Sequence, residues 1–184
     1  VGGQCSVMEH GLHYGTGVFE GIRAYPTEHG VAVFRLDDHL ARMQRGADVL
    51  GMTLDIAAVK AAVRRLLFVN EQRSAYVRPI AFYGGGSLHL DVDQLLTRVV
   101  VATLPWRSHL GEASEAHGVS LGVSEMRRNA HVAIPNLKLC GGYVNAILAK
   151  KAAVFAGFNE ALFVDEQGMV CEATGENVFA VFGD

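Results

Sequence analysis

The chain is constrained most by the way its hydrophobic period changes over the first hundred residues. Residues 17–25 have the length of a strand, residues 26–30 supply turn chemistry through Pro26 and Gly30, and residues 31–36 form a second apolar run. That pattern predicts a hairpin. The period then lengthens: Leu40, Met43, Ala47 and Leu50 follow at helical spacing, with Asp37 and Asp38 where an N-cap belongs and Gly51 where the helix should stop. Asp55 opens a second helix with Ile56, Val59, Val63, Leu66 and Leu67 on one side. Strand character returns over residues 74–83, ends in Gly84-Gly85-Gly86, and recurs over residues 98–104 before Pro105. Strands and helices in this order predict an α+β unit.

Beyond that unit the periodicity lapses between Trp106 and Ala116, which predicts an interdomain linker over residues 107–117. Residues 119–123 resume strand character. Residues 129–142 have no period and contain Pro135, Gly141 and Gly142, which fits an ordered loop leading into a helix over residues 143–155 that stops near Gly157. Residues 160–165 and 169–172 predict a hairpin, and residues 177–182 a further strand. The expected domains are therefore 1–106, a small N-terminal α/β domain, and 118–184, the start of a second, incomplete one. A closing strand that stops at Gly183-Asp184 and a chain that opens on Val1 and a Gly-Gly pair lead us to expect missing material at both ends.

Composition excludes several classes. Half of the 184 residues are apolar and 19% are charged, a globular balance, and the net charge of −3 comes with scattered basic residues. No nucleic-acid or anionic-membrane partner is expected. Apolar runs such as residues 99–104 are too short to cross a bilayer and no secretory signal opens the chain, so the expectation is a cytoplasmic protein. Cys5, Cys140 and Cys171 are an odd count with no Cys-x-x-Cys pair, against a disulfide framework or zinc knuckle. His10 and His13 have the spacing of a helical metal pair but lack a third ligand, so no metal is expected. The triplet Gly84 to Gly86 lacks the lysine and hydroxyl of a P-loop and reads as a flexible strand end.

Only four lysines are present. Lys60 and the pair Lys150-Lys151 lie on predicted helices and read as solvated faces. Lys138 has Leu137, Leu139 and Cys140 beside it and two glycines after it. An ammonium drawn out of water there would become a competent amine nucleophile, whereas the plainer alternative is a lysine that snorkels from a loop.

Three segments bear on that choice. Leu12-His-Tyr-Gly-Thr-Gly-Val-Phe-Glu-Gly-Ile-Arg, Ile134-Pro-Asn-Leu-Lys-Leu-Cys-Gly-Gly-Tyr-Val-Asn-Ala-Ile-Leu-Ala-Lys-Lys and Cys171-Glu-Ala-Thr-Gly-Glu-Asn-Val-Phe resemble signature blocks of the branched-chain-amino-acid aminotransferases, fold type IV of the pyridoxal-phosphate enzymes. The likeness runs through residues 8–182. It implies an α/β, two-domain fold whose second, larger domain binds cofactor, and pyridoxal 5′-phosphate as that cofactor. It makes Lys138 the Schiff-base lysine and proton shuttle, Glu172 the carboxylate facing the pyridine nitrogen, Tyr143 the phenol beside the 3′ oxygen and Arg42 the phosphate-binding arginine. It also makes Phe19 and Trp106 the lining of an aliphatic pocket. Gly21 leaves room beside the cofactor, and Tyr76 and Arg78, supported by Arg23, recognise substrate carboxylates. Tyr14 would reach a neighbouring subunit's site, implying a homodimer or higher oligomer. Strand alternation agrees, since Phe19, Gly21 and Arg23 share one face of their strand, and Tyr76, Arg78, Ile80 and Phe82 one face of theirs.

Two departures stand out: glycine precedes Tyr143 where the family usually has asparagine, and the loop before Lys138 is one residue shorter than in some relatives. Neither removes a charged group. The implied reaction moves an amino group from leucine, isoleucine or valine to 2-oxoglutarate. The alternatives are another fold type IV enzyme (a D-amino-acid aminotransferase, an aminodeoxychorismate lyase or an amine transaminase) or a non-catalytic module for binding or dimerisation. Tyr76-x-Arg78 and the Gly17-Val-Phe-Glu-Gly block favour the branched-chain enzyme.

Overall fold

The structure is a computed structural model that describes residues 3–105, 114, 117–128 and 136–183. The chain divides into two compact units, Val1–Trp106 with Leu137–Gly141, and Arg107–Asn136 with Gly142–Asp184.

In the first unit a short helix, α1 (His10–Tyr14), precedes β1 (Gly17–Phe19), β2 (Ile22–Thr27) and β3 (Gly30–Val33). Two helices follow, α2 (Leu36–Leu50) and α3 (Ile56–Val69), then β4 (Ala75–Tyr83) and β5 (Thr97–Pro105). The five strands form one antiparallel sheet in which β5 runs along the whole of β4, from Ala75↔Pro105 to Tyr83↔Thr97. The strand expected over residues 17–25 is two strands. β1 and β2 keep one register along β4, Gly17↔Phe82 to Phe19↔Ile80 and Ile22↔Val77 to Ala24↔Ala75, with a break at Glu20 and Gly21. The break is made by the neighbouring strand: the Glu20 amide donates to the Pro79 carbonyl at 3.0 Å, and the Pro79 nitrogen has no hydrogen to return.

Apolar spacing sets which helix faces are buried. α3 buries Val59, Val63 and Leu67 and packs on β4 and β5, while α2 buries Leu36, Leu40, Met43 and Ala47 and packs on β1. Beneath them Ile22, Ala24, Val77 and Ala81 have no exposure at all. Burying a side chain the size of Ile22, Val77 or Leu40 is worth about 1.5–3 kcal/mol, which is what holds the helices to the sheet. The helix boundaries follow the expected signals with one correction. Gly51 closes α2 and the Asp55 side chain caps α3 through the Ala58 amide at 2.9 Å, but α2 starts at Leu36, with Arg35 at its N-cap in the left-handed region. Asp37 and Asp38 lie in the first turn, where the helix dipole favours them, and bind Lys60 at 2.5 Å and Arg35 at 2.6 Å instead of capping the backbone. Lys60 is thus ion-paired rather than merely solvated.

In the second unit β6 (Leu121–Val123) runs parallel to β7 (Glu160–Val164), which turns back antiparallel into β8 (Val170–Ala173). A 3-10 turn (Cys140–Gly142) leads into α4 (Tyr143–Phe155), which brings Ala146, Ala149 and Ala153 against Ala161 and Phe163. Small side chains let the helix approach the sheet closely. Lys150 corrects the expectation of a solvated charge: it donates at 2.6 Å to Glu160, whose side chain is 2% exposed and also takes the Thr174 hydroxyl at 2.6 Å. Burial pushes the Glu160 carboxyl up, but those two bonds and the Ala161 amide outweigh it and hold the group below its ordinary 4.5. Residues 177–182, expected to be a strand, have no ladder partner among the described residues and form none. A strand is defined by its partner, and apolar composition alone supplies none.

Candidate active site

Burial alternates along β4. Ala75, Val77, Pro79, Ala81 and Tyr83 point to the buried side, and Tyr76, Arg78, Ile80 and Phe82 to a half-buried one. On that second face the Tyr76 hydroxyl accepts from Arg78 Nη2 at 2.5 Å and Nε at 3.2 Å. The Arg78 guanidinium carbon lies 4.4 Å from the centroid of the Phe19 ring and 5.2 Å from that of Tyr76. Cation–π geometry of this kind holds a guanidinium flat without consuming all its donors. Arg23, the register partner of Tyr76, stacks on Tyr25 at 4.9 Å. Gly21 completes the face: a Cβ there would come within 2.4 Å of the Tyr76 hydroxyl, so only glycine lets the phenol settle.

Lys138 joins this group through backbone. Its carbonyl accepts from the Phe19 amide at 3.3 Å, and Leu139 forms an isolated bridge with Val18, so the segment lies along β1 like a short extra strand. The result places the half-buried Lys138 ammonium 5.1 Å from the centroid of the same Phe19 ring that supports Arg78. Cys140 follows; burial pushes its thiol up, against the opposing charge of Arg78, so it stays protonated. On the opposite side of β1, Gly46 of α2 sits where a Cβ would meet Val18 at 2.9 Å, so a bare backbone lets α2 lie directly on the strand. One turn earlier on α2 stands Arg42. Its Nε and Nη2 donate to Glu20 at 2.5 and 2.7 Å, and the fully buried Glu20 carboxylate also takes His39 Nδ1 at 2.8 Å. Burial pushes the Glu20 carboxyl up, yet the bonds from Arg42 and His39 and their charges outweigh it and hold the group below the ordinary 4.5.

Tyr14 ends α1, is 46% exposed, and donates to the Leu88 carbonyl at 2.8 Å. Close by, both ring nitrogens of the buried His10 are engaged, with the Thr16 hydroxyl at 2.8 Å and the His89 carbonyl at 3.0 Å, while His13 bonds the Val7 carbonyl. Gly84 gives room for the Arg98–Glu9 ion pair, a structural use of the glycine triplet. In the second unit Tyr143 opens α4 and packs against the alanine-lined core, and Glu172, on β8, is half-buried and ion-paired with Arg128. Trp106 lies outside the described residues.

The first unit therefore brings together Phe19, Gly21, Arg23, Tyr76, Arg78 and Lys138 on one side of its sheet, with Arg42 held at β1 from the other. Three participants were not singled out in the sequence. Glu20 left a signal, an acid amid apolar strand residues, where such residues are depleted. His39 and Arg128 left none, because their partners lie far away along the chain.

Comparison with known proteins identifies the family and the fold. The family model described as amino-transferase class IV matches residues 17–184. The branched-chain-amino-acid aminotransferase of Pseudomonas aeruginosa is 36% identical over 182 residues, covering 95% of this chain and 58% of that protein. The crystal structure of the Escherichia coli branched-chain amino acid aminotransferase superposes with a TM-score of 0.90 at 34% identity, covering 95% of this chain and 59% of that one. The branched-chain amino acid aminotransferase of Thermobaculum terrenum, in its PLP form, gives 0.81 at 26% identity, covering 94% and 57%. The chain thus spans a little under three-fifths of the length of these relatives.

Proposed function

Because this chain belongs to the class IV aminotransferase family, we propose that the whole protein moves the amino group of L-leucine, L-isoleucine or L-valine to 2-oxoglutarate with pyridoxal 5′-phosphate as cofactor. The observation that carries this is a shared ring: the Lys138 amine and the Arg78 guanidinium, itself bonded to the Tyr76 hydroxyl, both lie over Phe19. An amine that must move a proton thereby stands next to a donor pair suited to a carboxylate.

The donor chemistry fits the cofactor. Pyridoxal phosphate presents an aldehyde, a phosphate dianion, a ring nitrogen and a phenolic oxygen, and the chain offers an amine at Lys138, a guanidinium at Arg42, a carboxylate at Glu172 and a phenol at Tyr143. When bound, it supplies an electron sink for the pair released at the substrate's Cα. Lys138 would hold its aldehyde, and the same amine, once displaced by the substrate's amino group and still tethered to the chain, would carry the proton to and from the substrate's Cα, which is what proximity does best. Arg42 grips the phosphate with a planar fork of donors. Glu172 would hold the ring nitrogen in its protonated form, and Tyr143 would donate to the 3′ oxygen. Arg78 and Tyr76, supported by Arg23, bind substrate carboxylates, including the distal carboxylate of glutamate. Phe19 lines the pocket for the branched chain, and Gly21 keeps its floor clear. One pocket then accepts both partners of a ping-pong exchange.

We further propose the domain division 1–106, 107–117 and 118–184, a cytoplasmic protein, and a homodimer in which the exposed Tyr14 reaches the neighbouring site. The deciding experiment uses the full-length protein. Adding pyridoxal 5′-phosphate should raise an absorbance band at the visible edge that Lys138→Ala abolishes, and initial rates should be fastest with L-leucine among L-leucine, D-alanine and aminodeoxychorismate. No band in the wild type, or activity with D-alanine alone, refutes the reading.

A further inference from the structure

Glu20 is a fully buried carboxylate in the gap between β1 and β2. Burying a charge is unfavourable unless it is paired, and an ion pair of this kind contributes little to stability that apolar packing would not supply. Its geometry is specific. Both carboxylate oxygens are used on one edge of Arg42, Nε at 2.5 Å and Nη2 at 2.7 Å, and His39 braces the second oxygen at 2.8 Å. The guanidinium is gripped from the protein side while the Arg42 side chain keeps 43% exposure. The carboxylate itself is anchored in turn, because the Glu20 amide is tied to Pro79 and its neighbour Phe19 is tied to the Lys138 carbonyl. Arg42 and Lys138 are therefore both referenced to two consecutive residues at the end of β1.

We infer that Glu20 is a positioning residue for the cofactor's phosphate: it fixes the plane and direction of the Arg42 guanidinium and does not itself touch the ligand. The inference rests on the reading of Arg42 as the phosphate-holding arginine. An arginine on a helix without such a brace must lose rotamer freedom when it binds, and Glu20 removes that cost in advance. Electrostatics alone predicts the opposite sign, since a carboxylate lowers the positive potential offered to a phosphate. Orientation prevails, because the bidentate grip leaves Glu20 on the far edge of the guanidinium from any ligand on its exposed side, where solvent screens the repulsion.

The test compares two probes in the full-length protein, pyridoxal 5′-phosphate and pyridoxal, each titrated by its Lys138-dependent absorbance. Glu20→Gln should weaken the phosphorylated probe by roughly tenfold or more, the usual cost of losing the partner that orients a ligating group, and leave pyridoxal unchanged. Arg42→Met should do the same, and the double variant should be no worse than Arg42→Met alone. Equal losses for both probes, no loss, tighter binding of the phosphorylated probe, or additive losses in the double variant overturns the inference. A wild type that does not prefer the phosphorylated probe defeats the assignment of Arg42 instead. Should Glu20→Gln fail to fold, Glu20→Asp retracts the carboxylate by one methylene, and the same selective loss, smaller in size, is expected of it.

Discussion

The two faces of β4 use the same backbone for different ends. On one side Ala75, Val77 and Ala81 have no exposure and face the side on which the helices pack. On the other, one residue along, Tyr76 and Arg78 are hydrogen-bonded and stacked on each other, and the Arg78 guanidinium lies over Phe19. Period-two alternation makes this possible, because adjacent side chains answer to different environments. Stability should therefore reside on the first face and recognition on the second, and substitutions one position apart should separate them.

The largest effect is expected on the recognition face. In the full-length protein Arg78→Leu should lower kcat/KM for the proposed substrates L-leucine and L-glutamate by about a hundredfold, near 2.7 kcal/mol, as loss of a charged hydrogen-bonding donor to a carboxylate does. The thermal midpoint should stay within a few degrees of the wild type. Steady-state kinetics and a melting curve on the same preparation check both halves; a fall in midpoint that accounts for the lost activity breaks the comparison.

Val77→Ala should do the reverse. Removing two methylene-sized groups from a fully buried site costs about 2 kcal/mol in folding stability, read from denaturant unfolding, while the folded enzyme keeps its kcat/KM. If kcat/KM falls with unchanged stability, the two faces are not independent.

Much of this division was legible beforehand. Period changes located α2, α3 and α4, Gly51 and Asp55 marked helix ends, and alternation put Tyr76 and Arg78 on one face. Local signals suffice where the cause is local. The break at Glu20 and Gly21 was not visible because it is made by Pro79 on a strand distant in sequence, and the partners of Glu20, Glu160 and Glu172 were hidden for the same reason. The strand expected over residues 177–182 failed on the converse ground, since apolar composition was local and its partner was not. The site needed the family's motifs to be read at all: Lys138 and Arg42, taken alone, are a loop cation and a helix cation.

Glu20 is the exception on the helix-facing side of β1, a charge where Val18 packs, and it sharpens the comparison by its response to pH. Its folded-state carboxyl is held below 4.5 by Arg42 and His39 against the upward push of burial. A group depressed on folding stabilises the native state above its unfolded value, so the contribution is complete above about pH 4.5 and is lost as pH falls through the lower folded value. Between about pH 5 and 3 the wild type should lose stability faster than Glu20→Gln, by at most one proton's worth, about 1.4 kcal/mol per pH unit. The slope is what counts, because breaking the pair also shifts the absolute stability at every pH. Urea unfolding at stepped pH gives that slope for each protein. Parallel curves would mean that Glu20 titrates alike in the folded and unfolded chain, and a wild type that gains stability relative to Glu20→Gln as pH falls would mean that Glu20 is neutral when folded, the brace on Arg42 then being a neutral hydrogen bond rather than an ion pair.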